Sequence, residues 1–463
     1  MTDKTKFARP TEKQSIRHHK AKKGDKPPKS KIYYNKTPSP VRAIAEYEDM
    51  GGVLIAYPGT VAQNQPHEQR VPSGPRSFGI PDELIVRMQQ NDQEYPVHIF
   101  VMCSDASAKA EIDKNLEAEA KRINVEYNPD HLHLVPWDTD TFWTRDYGPW
   151  WIHNEKTGYY GIAKHTYTTL GGGSVGLVEG AEGVDPNEGL GIFRPNDDYG
   201  AVKFSDFLNG PIRAWNKARW SGDVKQEPIP THDWYFTGLL EVGGNYMVTS
   251  KGKIASSYLV STQNELPSEN QKWDTEPDKE EVAKRMEYIL EQFNRFMGLK
   301  EYHVLTDPTG TYIGHIDCWG KFLSDDTVLI ARSQNPDVEK AFKHICDSFE
   351  ADGFNVARVM CQNRYVPIAD TPATTAAYTN SLILNNHVYV PLSGAPYDEF
   401  DTEALLAYEK AMPDHKVVGI LGKPEFPWLG TDAMHCRTRG VPRAVVDNWL
   451  KSKTPNVIDP DHK

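Results

Sequence analysis

Apolar and polar positions along the chain alternate in a rhythm of short strands and amphipathic helices. Gly52-Val53-Leu54-Ile55-Ala56-Tyr57-Pro58-Gly59 is an apolar run closed by a turn, and it predicts a buried strand. Pro81 to Gln90 predicts a short helix with proline at its start. Val97 to Cys103 predicts a second strand. Ser104 to Ile123 predicts a helix capped by Ser104 or Asp105, and Leu132 to Pro136 a third strand. Strands alternating with helices at this spacing place the chain in the α/β class.

From Trp150 onward a different unit recurs. Trp150-Trp151-Ile152 turns through Asn154 to Gly158 into Tyr159-Tyr160. Tyr246-Met247-Val248 turns through Lys251-Gly252-Lys253 into Ile254-Ala255. Lys321-Phe322-Leu323 turns through Asp325-Asp326 into Val328-Leu329-Ile330, and Ser381 to Leu384 turns through Asn385-Asn386 into Val388-Tyr389-Val390. Apolar runs flanking Asn, Asp and Gly turns predict hairpins. Helices are expected between them: Asp278 to Met297, stopped by Gly298; Val338 to Ala351, stopped by Gly353; and Glu399 to Met412. In the first, Val282, Met286, Ile289, Phe293 and Met297 share one apolar face, which marks core rather than a cofactor site. The pattern predicts hairpin-plus-helix units, each hairpin preceded by chemistry-bearing residues. Units repeated radially set such starts around one axis, as in propellers. Thr168 to Asp233, rich in Gly, Pro and Asn, fits no unit and is expected to be an insertion or a set of substrate-facing loops.

Charge divides the chain. Residues 1–40 hold 12 Lys and Arg against 3 Asp and Glu, while the 463-residue whole has a net charge of −12. The body is therefore acidic, which suits a cationic partner through long-range attraction. The basic head has little apolar content and several prolines, so it is expected to be disordered, a solvated tail rather than a nucleic-acid or membrane-surface arm. The expected division is a tail over 1–38, a catalytic body over 39–448 containing the 168–233 insertion, and a second tail over 449–463. No apolar stretch is long enough to span a membrane, and no signal-peptide core follows Met1. At face value that reads as cytoplasmic, with a secreted mature form as the alternative. The five cysteines are odd in number, widely spaced and without a CxxC pair, so neither a disulfide framework nor a structural zinc site is expected.

Five stretches carry candidate chemistry. Asp138 to Pro149 combines aromatics, carboxylates and Arg145 before a Gly-Pro break. A carboxylate beside aromatic faces can hold a planar cation, although Asp146 can equally pair with Arg145 or cap the turn. Glu241-Val242-Gly243-Gly244-Asn245-Tyr246 offers close backbone approach but lacks phosphate-loop spacing. In His315-Ile316-Asp317-Cys318, a strand conformation would face His315 and Asp317 one way and Cys318 the other, leaving Cys318 as core. His315 and Asp317 can also be read as metal ligands, without a further cluster at ligand spacing. Ala377 to Leu382 places Asn380 at the head of a strand, as an orienting group or a turn cap. The fifth, His435-Cys436-Arg437, flanks a thiol with cationic residue types, which lower a thiol's pKa, though a lone cysteine is as readily a small buried hydrophobe.

Trp143-Thr144-Arg145-Asp146-Tyr147-Gly148-Pro149, Gly243-Gly244-Asn245-Tyr246-Met247, His315 to Lys321, Asn380 and His435-Cys436-Arg437-Thr438 resemble, in the same order, the motifs of the Porphyromonas-type peptidylarginine deiminases, in the guanidine-modifying enzyme superfamily. The resemblance starts near Ser39-Pro40-Val41-Arg42 and ends with the Cys436 motif. It implies a five-fold pseudosymmetric α/β propeller of the pentein type, and an enzyme without a metal or organic cofactor. It implies Cys436 as a nucleophile forming a covalent thiouronium, His315 as general acid and base, Asp146 and Asp317 as guanidinium binders, and Asn380 as their support. Trp143 and Tyr312 would line the tunnel for the substrate side chain. The family pattern has two arginines, one residue apart, that bind the carboxylate of a C-terminal arginine. Here Arg194 matches the second and Ile192 stands at the first. Arginine-containing peptides or proteins are the expected partners, with internal arginines tolerated as well. The alternatives are an agmatine deiminase, a non-catalytic propeller that binds cationic peptides, and a metal-dependent hydrolase using His315 and Asp317.

Overall fold

The computed structural model describes residues 32–33, 40–59, 75–90, 96–167, 194–220, 227–260, 264, 279–309, 314–361, 375–422, 428 and 432–453. Its strands fall into five sheets built on one plan. A short strand runs antiparallel to a middle strand, and the middle strand pairs in parallel with a third reached through a helix. Lys253–Ser257 lies between Met247–Val248 and Glu301–Leu305, with the Lys279–Met297 helix as crossover. Thr327–Arg332 lies between Gly320–Phe322 and Asn355–Met360, crossing through Pro336–Ala351. His387–Leu392 lies between Leu382–Leu384 and Lys416–Leu421, crossing through Asp398–Ala411. Tyr159–Thr166 lies between Trp150–Asn154 and Trp234–Leu240. A parallel neighbour requires such a crossover, because a tight turn joins only antiparallel strands.

The fifth sheet joins the two ends of the body. Met50–Ala56 pairs in parallel with His98–Met102 across the Asp82–Gln89 helix, and its antiparallel partner is Arg439–Pro442, the last strand in the sequence. Leu132–Val135 extends this sheet. The observed unit is thus a hairpin, a helix and a further strand. Two of the third strands escape the hydrophobic pattern because they are partly exposed. Asn355–Met360 and Lys416–Leu421 each hold one buried residue, so neither reads as a continuous apolar run. The middle strands do, as with Val53 to Ala56 and Val328 to Ala331, all fully buried.

Four expectations change. The second helix begins at Ala108 rather than near Ser104, because Asp105 Oδ1 accepts from Ser107 N at 2.9 Å and Ser107 Oγ at 2.6 Å and forms a turn first. The segment 168–233, expected to be an insertion or a set of substrate-facing loops, contains a 21-residue helix, Gly200–Trp220, whose Val202, Phe204, Leu208 and Ile212 are fully buried; residues 168–193 and 221–226 lie outside the described residues. The second tail does not begin at residue 449. Trp449 is buried on the Arg443–Lys453 helix, with its ring 5.2 Å from Phe100 and 4.7 Å from His133. Of the basic head, only Ile32–Tyr33 is described, and it pairs in parallel with Trp234 and Tyr235. Among the described residues no helix is long and apolar enough to cross a membrane.

Trp449 fastens the last helix to the first sheet, so Trp449→Ala is expected to lower unfolding free energy by ~3–5 kcal/mol, the cost of truncating a buried aromatic. Chemical denaturation checks this; a loss below ~1 kcal/mol contradicts the packing role.

Candidate active site

Five polar turns stand immediately ahead of the five short antiparallel strands. Thr144–Tyr147 precedes Trp150, Gly243–Asn245 precedes Met247, Ile316–Cys318 precedes Gly320, the turn ending at Asn380 precedes Leu382, and the turn holding Cys436 precedes Arg439. The common plan of the sheets brings these turns together. Asp146, His315, Asp317, Asn380 and Cys436 are all buried there.

Asn380 fastens two turns. Its Oδ1 accepts from the backbone N–H of Ala433 at 3.0 Å and of Cys436 at 3.1 Å, while Nδ2 donates to Cys436 Sγ at 3.1 Å and to Asp317 O at 3.3 Å. Asp317 Oδ2 accepts from Cys436 Sγ at 3.4 Å and faces His435 Nδ1 at 2.7 Å. His315 precedes a single 3-10 turn over Ile316–Cys318, so the strand alternation used to separate Cys318 from its neighbours does not hold. Cys318 is nonetheless fully buried, with Sγ 3.8 Å from Asp317 Oδ1. Cys103, Cys346 and Cys361 are buried in the core.

His315 Nδ1 and Asp146 Oδ1 are 3.9 Å apart, too far for a hydrogen bond, and neither has such a partner among the described residues. The gap between them is kept by Gly244. A Cβ there would stand 2.5 Å from His315 Nδ1, 2.9 Å from Asp146 Oδ1 and 3.3 Å from Asp317 Oδ2. At Gly243 a Cβ would meet Arg145 O at 1.9 Å. The Gly pair thus lets a backbone turn pass among three polar side chains. Two buried polar atoms facing one small gap are what a polar or charged ligand would satisfy.

Arg194 stacks over Trp143 at 5.1 Å and over Tyr167 at 4.7 Å, and its Nε pairs with Asp197 Oδ2 at 2.9 Å. Trp143 is partly exposed at the edge of the site. Tyr312 lies outside the described residues.

Electrostatics set the charge states apart. Burial pushes the Asp146 carboxyl well above its usual range, opposed by the Arg194 charge and reinforced by Asp317. Burial also raises Asp317, but the hydrogen bond and charge of His435 overcome it and hold that carboxyl below the usual value. His315 is pushed down to about 4, by burial first, with the Asp317 charge opposing. The Cys436 thiol is pushed well up by burial and then by the Asp317, Asp432 and Asp146 charges. Its cationic sequence neighbours do not lower it. Arg437 is neutralised by Asp432, Nη2 to Oδ2 at 2.6 Å, and lies over the Phe142 and Trp428 rings at 5.1 Å each. His435 is held between two carboxylates.

That second carboxylate is Glu46, which the sequence pattern did not single out. His435 Nε2 lies 2.6 Å from Glu46 Oε2, and Glu46 Oε1 accepts from Lys321 Nζ at 2.8 Å and from Ile383 N at 3.0 Å. Two short N···O contacts on one imidazole require a proton on each line, shared among His435, Asp317 and Glu46. Glu46 stands in Ala45-Glu46-Tyr47-Glu48, where nothing distinguishes it from its acidic neighbour. Arg145 does not pair with Asp146. Its Nη2 lies 3.6 Å from Glu46 Oε2, its Nε donates to His435 O at 3.2 Å, and its backbone N–H donates to Cys436 O at 3.1 Å. Among the described residues, the acid and imidazole groups close enough to share one metal ion are Glu301, His303 and Asp352; His315 and Asp317 are not among them.

Known proteins resemble this chain in part and as a whole. A 67-residue segment is 40% identical to a Marinomonas sp. (strain MWYL1) protein that carries a provisional agmatine deiminase name, spanning 14% of this chain and 17% of that relative's length. The agmatine deiminase of Enterococcus faecalis superposes over 88% of this chain and 98% of its own, with a TM-score of 0.57 and 17% identity. A Porphyromonas gingivalis protein provisionally titled an arginine deiminase superposes over 87% of this chain and 99% of its own, with a TM-score of 0.56 and 15% identity. These two likenesses show a shared α/β fold. Residues 262–442 match the sequence model described as Porphyromonas-type peptidyl-arginine deiminase. Over that span, which includes His315, Asp317, Asn380 and Cys436, the chain carries the sequence pattern of the Porphyromonas-type peptidyl-arginine deiminase family.

Proposed function

We propose that the chain hydrolyses a guanidinium group, with arginine side chains in peptides or proteins as substrate and citrulline and ammonia as products. The observation that carries this is the set around Gly244: an imidazole and two carboxylates face one gap, Asp146 Oδ1 and His315 Nδ1 have no hydrogen-bond partner among the described residues, and Asp317 accepts from the Cys436 thiol at 3.4 Å. A planar cation fits that demand, because two carboxylates can hold its N–H groups and fix its central carbon against Cys436 Sγ. The matching family pattern points the same way. Five similar units packed around one axis, as in a propeller, would explain why five turns meet at one place.

In this mechanism the substrate supplies the charge that the thiol lacks. A guanidinium between Asp146 and Asp317 offsets the carboxylates that hold the Cys436 pKa up, so the thiol ionises once the substrate is bound. Its proton passes to His315, which is neutral in the free site. The thiolate adds to the central carbon and forms a C–S bond. His315 returns the proton to one terminal nitrogen, and the C–N bond breaks to release ammonia. The resulting thiouronium is attacked by water, whose proton His315 accepts. The C–S bond then breaks, leaving a ureido group and regenerating the thiol. Asn380 holds the sulfur and the Cys436 backbone through these steps.

A second reading, agmatine deimination, is favoured by the 40% identity of a short segment to the Marinomonas protein. Substrate length separates the two. A blocked internal-arginine peptide, a C-terminal-arginine peptide, free arginine and agmatine are each assayed for ureido product and ammonia. Internal and C-terminal arginine peptides are expected to react and agmatine to be poor; turnover of agmatine alone contradicts the peptide reading. Cys436→Ala should lower kcat by more than ~10⁴-fold on every substrate, as for an essential nucleophile. Retained turnover refutes the assignment.

Gly244→Ala should fold but lose ~10²-fold in kcat/KM, because the added methyl displaces His315 and Asp146. Circular dichroism and steady-state kinetics test it, and an unaffected kcat/KM contradicts the geometry. A raised thiol pKa means that Cys436 is protonated at neutral pH in the free protein. Its alkylation by iodoacetamide, followed by peptide mass spectrometry, should therefore keep accelerating through pH 9. A plateau below pH 8 would show a thiolate already formed without substrate.

A further inference from the structure

Behind the Asp317–His435 pair lies a cavity of about 50 Å³ whose walls include Glu46, Arg145, Asp317, Lys321, His435 and Arg439. It shares Asp317 and His435 with the candidate active site, but Cys436, His315 and Asp146 do not line it. The wall charges do not cancel. Glu46 is the sole carboxylate within ion-pair distance of Lys321 and Arg145 among the described residues, and Asp317 is engaged with His435 and Cys436. Arg439 has no carboxylate partner among the described residues, and its Nε donates to Pro149 O at 2.7 Å. Three cations, Arg145, Lys321 and Arg439, thus face two carboxylates, before any charge on His435.

Arg145 is 4% exposed, yet its Nη2 has no hydrogen-bond partner among the described residues. Its ion-pair contact to Glu46 Oε2, at 3.6 Å, is too long for a hydrogen bond, and a guanidinium nitrogen that deep is costly to leave without one. Burial, then the Arg145 charge, pushes the Arg439 guanidinium down to about 9, with the Tyr246 and Glu46 charges opposing.

We propose that this cavity is a binding site for a small monovalent anion of chloride or formate size, held by Arg145 Nη2 and the Arg439 guanidinium. The volume accommodates a compact ion. The site can be tested apart from the deimination reading, since it is held by Arg145 and Arg439 rather than by the thiol, although Asp317 borders both this cavity and the gap at Gly244. It is coupled to the Cys436 turn, because Arg145 also bonds His435 O and Cys436 O.

The test replaces sodium gluconate, whose anion is too large for the cavity, with sodium chloride at constant ionic strength. For the full-length wild-type chain Tm should rise, by a near-constant step for each tenfold increase in chloride above the dissociation constant, as for any ligand selective for the folded state. Arg439→Met should abolish that rise. Equal Tm in the two salts, or an unchanged rise in the variant, overturns the proposal. Because the variant can fail to fold, wild-type crystals soaked in bromide give a second readout. An anomalous peak within hydrogen-bonding distance of Arg145 Nη2 supports the site, and a cavity without one refutes it.

Discussion

Two buried carboxylates share a small space, and everything else in the site follows from how that is made tolerable. Asp146 and Asp317 approach the same point beside Gly244 because no side chain stands between them. Like charges this close, away from water, cannot both stay ionised at no cost. The protein separates their roles by environment. Asp317 is held ionised by His435 and accepts from Cys436, whereas Asp146 has only the more distant Arg194 charge to offset its burial. The site is thus short of positive charge, and a bound cation would relieve Asp146, Asp317 and the thiol together.

The fold delivers these groups by repetition. Each of the five sheets presents a turn just ahead of its short antiparallel strand, and each of the five turns contributes a polar side chain or a glycine to one place. Strands position such groups more firmly than long loops, because the sheet ladder fixes the residues on either side. The sheet that contains Met50–Ala56 is completed by Arg439–Pro442, so the turn carrying Cys436 is locked only when the end of the chain pairs with its beginning. Formation of the surroundings of Cys436 is therefore tied to the most non-local pairing among the described strands.

Much of this was legible in the sequence, for physical reasons that can be named. The hairpins announce themselves through Asn, Asp and Gly turns between apolar runs, and the amphipathic helices through their period. Asp146, His315, Asp317 and Asn380 stand at the heads of those hairpins, and a repeated plan must bring such heads together. Asn355–Met360 and Lys416–Leu421 were not legible because half-exposed edge positions carry no clear alternation. The Gly200–Trp220 helix was masked by Gly200, Gly210 and Pro211, which read locally as loop. Glu46 and the charge balance at Cys436 depend on contacts across hundreds of residues. Arg437 sits beside the thiol in sequence, yet Asp432 takes its charge. Sequence adjacency left open whether His435 and Arg437 lower the thiol pKa, and the packed site raises it.

The central claim is that Cys436 bonds covalently to the central carbon of a guanidinium. The most direct measurement is intact-mass and peptide mass spectrometry of protein quenched in acid during turnover of an arginine peptide. The mechanism predicts an adduct equal to the substrate less ammonia, confined to the peptide containing Cys436. Turnover with no such adduct under conditions that trap thioesters, or an adduct on Cys318 instead, would contradict it.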